Sequence, residues 1–268
     1  MSRLNKALER IKTRESSNPN ALRSGSGFKT AGTTNINDPL GKQIHKVRLN
    51  DSVMHTNHLI TKQVDPAVRT SYKMLRTRIL HAMHANGWRS LAITSASQGD
   101  GKTVTAINLA ISLAGDVNHN VCLVDLDLRH SSITRYLDLS AKYGVSDCLI
   151  DNLPVEKALI RPHIDRLFIL PNIRHVMNSS ELLSSPAMHE LSALLSADPN
   201  RIIIYDMPPI LAADDMLAFN KNTDAILFVV AEGVTRRTDT VRARELMDEL
   251  NVIGTVLNQS DEKTATYY

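Results

Sequence analysis

Residues 90–114 read "SLAITSASQGDGKTVTAINLAISLA": an unbroken apolar run, a glycine-bearing loop, then apolar positions at helical spacing. The first part reads as a buried strand and the last as a helix over 102–114. Gly99, Gly101, Lys102 and Thr103 stand at the join. There, backbone N–H groups and a helix N-terminus can converge on phosphate oxygens. Lys102 would reach the β- and γ-phosphates of a nucleotide, and the Thr103 hydroxyl would ligate Mg²⁺. Ala96 replaces the glycine that usually opens such a loop, a change that matters only if that position needs positive φ.

Outward from this loop the chain alternates. The apolar runs "VCLVDLDL" (121–128), "RLFILP" (166–171), "RIIIYD" (201–206), "AILFVVAE" (225–232) and "VIGTVLN" (252–258) are separated by helical text, notably at 179–197 and 235–250. Continuous apolar strands alternating with helices imply a doubly wound, mostly parallel α/β sheet flanked by helices. Ahead of it, Asp65 and Pro66 open a helix with Val68, Tyr72, Leu75, Ile79 and Met83 on one face, and Gly87 closes it.

Two of the runs end in acid. Asp125 and Asp127 lie two residues apart, so an extended chain points both carboxylates the same way. Asp206, the third such carboxylate, closes the other run, before Pro208 and Pro209. Open α/β sheets bind ligands at these strand ends. A single strand-end aspartate equally suits a turn or helix cap, Asp127 above all. Three of them beside a phosphate loop suit Mg²⁺, which takes hard oxygen ligands and keeps waters.

Charge is unevenly spread. Residues 1–48 hold ten Lys/Arg against three Asp/Glu, and the rest of the 268-residue chain holds 21 against 25. Leu4, Leu8 and Ile11 repeat at helical spacing among basic residues, which suggests a basic amphipathic helix over 1–15. Such a helix suits a partner or an anionic membrane surface. Residues 16–60 read as a flexible linker, 61–260 as the folded domain and 261–268 as a mobile tail. No apolar stretch approaches the roughly 18 residues that would suggest a membrane-spanning helix. Two cysteines without metal or disulfide spacing fit a reducing compartment. Aromatics at 4% are too few for a base-stacking nucleic-acid surface.

On these residues the chain resembles the bacterial tyrosine kinase (BY-kinase) family of exopolysaccharide and capsule systems. "CLVDLDLR" matches that family's apolar-D-x-D-x-R motif and "IIIYDMPP" its strand followed by D-x-P-P, and the family tolerates a small residue in place of the first loop glycine. "SYKMLRTRI", "MNSSELLSSPAMHELSALL" and "VIGTVLNQ" are also similar, so the resemblance spans 65–259. The related MinD/ParA ATPases carry a signature lysine five residues before the loop lysine, and here that position is Ser97.

The resemblance implies an ATP- and Mg²⁺-dependent protein-tyrosine autokinase. Its catalytic residues would be Lys102, Asp125, Asp127 and Asp206, with Asp125 accepting the proton of the attacking tyrosine. Thr103, Asp125, Asp127 and Asp206 would serve the metal. Gln98, Gly99, Asp100, Gly101, Lys102, Thr103, Val104, Arg129 and Asn258 would hold the nucleotide, Asn258 at the adenine. Tyr267 and Tyr268, in the ending "DEKTATYY", would be the autophosphorylation sites. The implied partners are a membrane-embedded polysaccharide co-polymerase (chain-length determinant) and further copies of the chain in a ring or dimer, with no nucleic acid. The implied location is cytoplasmic, peripheral at the inner membrane. The family's ring helix carries E-x-x-R-x-x-R, where this chain has Thr70, Lys73 and Arg76, so a ring pair of charges is lost. Two readings from other classes stay open: a MinD/ParA-like ATPase switch, and an ATP-binding regulator without catalysis.

Overall fold

The structure is a computed structural model, and it describes residues 44–260. The expected basic helix at 1–15 and the tyrosine tail at 261–268 lie outside the described residues. Eight strands form one sheet: β1 (His45–Val47), β2 (Ser90–Ser95), β3 (Asn120–Asp125), β4 (Ile160–Pro162), β5 (Leu167–Leu170), β6 (Arg201–Asp206), β7 (Ala225–Ala231) and β8 (Val252–Asn258). Their spatial order is β1-β4-β5-β3-β6-β2-β7-β8. Every pairing is parallel except β4 with β5.

Packing on both faces explains the unbroken apolar runs. Leu91, Ile93, Val121, Leu123, Ile202, Ile204, Leu227 and Val229 face one core cluster, which the helices Pro66–Asn86 and Lys102–Ala114 help to fill. Their neighbours Ala92, Cys122, Val124, Ile203, Tyr205, Ile226 and Phe228 face a second cluster with Leu149, Met188, Leu191, Met216 and Ala243 from other helices. A strand residue buried on either face stabilises the fold, at about 1.5–3 kcal/mol for a Val, Leu, Ile or Phe, so no position is left for polar alternation.

The helix boundaries follow local chemistry. Asp65 accepts from Ala67 N at 2.7 Å, Pro66 takes the first helical position, and Gly87 ends the helix at φ 69°. The helical text at 179–197 is two helices, Ser179–Leu183 and Pro186–Leu195. Pro186 cannot extend the first helix, but it suits the first turn of the second, which Ser185 caps.

The linker expectation over 16–60 is corrected for residues 44–60. β1 pairs in parallel with β4, and a short helix spans Asp51–Thr56 with Met54 buried. Leu59 is fully buried, and Asn108 accepts from Ile60 N at 2.8 Å while donating to the His58 carbonyl at 3.0 Å. A buried amide in the 102–114 helix therefore ties this segment down.

Candidate active site

The phosphate-loop segment runs from the end of β2 into the helix Lys102–Ala114. Gly99 and Gly101 adopt φ of 93° and 87°, backbone that L side chains avoid. Ala96 does not: it is fully buried in the core, and its φ is not positive. The missing opening glycine therefore costs the loop nothing. Asp100, only 1% exposed, braces the turn from inside. Its carboxylate accepts from Ser97 N at 2.8 Å and from the Thr235 hydroxyl at 2.7 Å.

Strand register brings the acids together. β3 lies beside β6 with Asp125 directly opposite Asp206. Lys102, the first residue of its helix, sends Nζ to Asp127 Oδ2 at 2.8 Å and lies 3.6 Å from Asp206 Oδ1. The Thr103 hydroxyl donates to Asp206 Oδ2 at 2.7 Å and accepts from Ser132 Oγ at 3.2 Å. Asp125 Oδ2 takes the N–H groups of Ser132 and Ile133, at 3.3 and 3.2 Å. Asp127 Oδ1 takes the N–H of His130 at 3.0 Å. Three carboxylates thus surround one ammonium.

That imbalance sets the protonation chemistry. Burial raises the Asp125 carboxyl well above the usual carboxylate range, and the neighbouring Asp206 charge raises it further. Burial likewise raises Asp206, against the pull of Lys102 and Thr103. Burial alone would lower the Lys102 ammonium, but the charges of Asp206, Asp127 and Asp125 outweigh it and hold its pKa above the ordinary value. Asp125 Oδ1 and Asp206 Oδ1 are buried without a hydrogen-bond partner. Unsatisfied buried oxygens at strand ends, beside a glycine cradle, are a donor set that a hard cation and a phosphate chain would complete.

These groups border an open cleft of about 1640 Å³. Among the expected site residues, Gln98, Gly99, Gly101, Lys102, Thr103, Val104, Asp127 and Asn258 line it. Asp125 and Asp206 lie behind this lining with no exposure. Arg129 is not brought to the cleft. Its Nε donates to Ser179 Oγ at 2.7 Å, and its guanidinium lies 3.8 Å from the buried Asp215. Nothing in the sequence around Ser179, or in "DDM" at 214–216, signals this pairing. Tyr267 and Tyr268 lie outside the described residues. In the altered ring motif, Arg76 donates to the Ser112 carbonyl at 2.9 Å within the chain, and Thr70 bonds back to the Pro66 carbonyl.

Residues 91–267 match the CobQ/CobB/MinD/ParA nucleotide binding domain family. The tyrosine-protein kinase YwqD of Bacillus subtilis (strain 168) is 31% identical over 189 residues, covering 70% of this chain and 79% of that protein. The putative tyrosine-protein kinase EpsB of Ralstonia nicotianae is 29% identical over 217 residues, which are 78% of this chain but 28% of that longer protein. Among solved structures, the VpsO kinase domain superposes with a TM-score of 0.64 at 27% identity, covering 72% of this chain and 96% of that one.

Proposed function

The chain belongs to the bacterial tyrosine kinases within the CobQ/CobB/MinD/ParA nucleotide-binding family, and from that premise we propose that it is an ATP- and Mg²⁺-dependent autokinase. Its targets are the tyrosines of its own C-terminal segment, Tyr267 and Tyr268. It acts in exopolysaccharide or capsule assembly beside a membrane-embedded co-polymerase, with further copies of itself. The observation that carries the reading is the convergence of Lys102, Thr103, Asp127 and Asp206 under the glycine loop.

In this reading the loop N–H groups and Lys102 bind the phosphates, and Thr103, Asp127 and Asp206 hold the metal directly or through water, with Asp125 beside them. Bound ATP supplies the phosphoryl group and Mg²⁺ offsets its negative charge. Positioning and charge neutralisation contribute most, because a phenol of pKa about 10 needs little help to attack. Asp125 receives the tyrosine proton. Its Oδ1, buried without a hydrogen-bond partner, is the oxygen assigned to take that proton. Asp100 and Thr235 fix the loop rather than touch the reacting atoms. Arg129 is engaged with Ser179 and Asp215 instead of the phosphate loop. Membrane association is assigned to the basic residues near the start of the chain; among the described residues no helix is long and apolar enough to cross a membrane.

Purified protein incubated with γ-labelled ATP and Mg²⁺ is expected to gain phosphotyrosine on Tyr267 or Tyr268, and Lys102→Ala to gain none. Binding of ATP without any label on these residues would remove the kinase assignment for this tail. Partner-stimulated ATP hydrolysis without phosphotyrosine would instead favour a switch ATPase, against which Ser97, in place of that group's signature lysine, already argues.

A further inference from the structure

The end of β8 lies against the phosphate loop, and Asn258 and Gln259 line the same cleft. Asn258 Nδ2 donates to the Asp100 carbonyl at 3.0 Å, and Gln259 Nε2 donates to the Gly99 carbonyl at 3.0 Å. A cradle that turns its N–H groups toward an anion must turn its carbonyls the other way. Here two consecutive carbonyls are met by amides from two consecutive side chains. The fit at the neighbouring glycine is close: a Cβ on Gly101 would collide with Asn258 Nδ2.

Gln259 reaches its carbonyl through left-handed backbone, at φ 57°. That conformation is uncommon outside Gly, Asn and Asp and costs on the order of 1 kcal/mol. No β-ladder holds Gln259, since β8 ends at Asn258, and its side chain makes one hydrogen bond, to Gly99. A strained residue whose single side-chain bond falls on the phosphate loop is placed for that loop. The geometry points to Gln259 as a positioning residue for the nucleotide. It acts through the Gly99 carbonyl to hold the loop's N–H groups toward the phosphates. This rests on the nucleotide-binding reading above and adds to it a residue for which the family resemblance implies no role.

Two variants separate this role from a merely structural one. Gln259→Gly removes the amide and also relieves the left-handed strain. Its melting temperature without nucleotide is expected to equal or exceed that of the parent. Its Kd for a fluorescent ATP analogue with Mg²⁺ should rise about three- to tenfold, the worth of roughly one hydrogen bond. Gln259→Glu keeps the length but cannot donate and adds negative charge beside the loop, so its Kd should rise further, and less so at high salt. In the labelling assay the loss should fall more in KM for ATP than in kcat. Unchanged affinity in both variants overturns the assignment while leaving the kinase reading intact. Weaker binding that merely parallels a fall in melting temperature in both variants also overturns it. A parent chain that fails to bind the analogue sinks the functional reading and this one together.

Discussion

Replacing Lys102 with Met tests the electrostatic account of the site apart from its chemistry. The ammonium lies 2.8 Å from Asp127 and 3.6 Å from Asp206. At an effective dielectric constant of about 20, those separations correspond to attractions of about 6 and about 5 kcal/mol. Several kcal/mol of desolvation oppose them, and removing one partner of a buried ionic set typically costs about 3–5 kcal/mol. For a domain of this size that is a fall in melting temperature of roughly 6–20 °C. The effect should depend on pH in one direction. Asp125 and Asp206 have carboxyl pKa values raised in the folded state. The folded protein therefore keeps protons that the unfolded chain releases, and stability falls as pH rises from the ordinary carboxylate pKa through the raised one. Without Lys102 these pKa values rise further, so the deficit should be larger at pH 8 than at pH 5, where the acids take up protons. The Lys102 ammonium itself titrates above its ordinary value, outside this window. Thermal melts by circular dichroism without nucleotide at the two pH values give the result. A deficit under about 1 kcal/mol at pH 8, or one that grows on acidification, refutes the reasoning.

Three more outcomes follow from the same geometry. Asp125→Asn keeps an oxygen for the Ser132 and Ile133 N–H groups and removes a like charge beside Asp206. It should raise the melting temperature at pH 8 by about 2–6 °C and lower autophosphorylation by about 10²–10⁴-fold. A protein destabilised by this change would show that the ionised carboxylate is structural. Gly101→Ala forces a side chain onto φ 87° and against Asn258. It should abolish binding of the ATP analogue in fluorescence titration and cost at least about 1–2 kcal/mol of stability. Arg76→Ala removes the donor to the Ser112 carbonyl near the end of the phosphate-loop helix. It should lower stability in urea by about 1 kcal/mol, whatever the oligomeric state measured alongside by light scattering.

The sequence revealed most where one residue's neighbours sufficed to determine its state. β2, β6 and β8 occupy the expected runs 90–95, 201–206 and 252–258, because two-sided burial leaves an apolar text that few other structures tolerate. The 66–86 and 102–114 helices match their caps and periods for the same reason. β1 and β4 have only three residues each, "HKV" and "IRP", and exist through pairing, β1 with β4 and β4 with β5, rather than through any period. The segment 44–60 reads as linker because its apolar residues, among them the buried Met54 and Leu59, follow no strand or helix period, and the amide that ties it down comes from Asn108, far along the chain. Arg129 is legible as a motif residue but not as a partner of Asp215, a contact made between a loop and the start of a helix 86 positions further on. Gln259 is one more polar residue after a strand until its backbone angle and its bond to Gly99 are seen.

Several residues at the mouth of the phosphate loop break local rules. Three buried carboxylates share a single ammonium, two of their oxygens lack hydrogen-bond partners, two glycines and Gln259 hold left-handed backbone, and Asp100 is buried in the loop. Each feature lowers stability relative to an apolar or unstrained alternative. The surrounding fold tolerates them because the flanking strands are buried on both faces and fix the register that sets Asp125 opposite Asp206. An isolated acid at a strand end can be a cap and nothing more, as the bonds from Ser132 and Ile133 to Asp125 illustrate. A cap, however, has no need of a second carboxylate pressed against it, still less of one whose Oδ1 is fully buried without a hydrogen bond, 3.6 Å from the Lys102 ammonium. Charge repulsion retained at the mouth of a glycine loop makes physical sense where a cation and a phosphate chain are to be received, and it is this excess of negative charge, more than the loop motif alone, that argues for phosphoryl chemistry here.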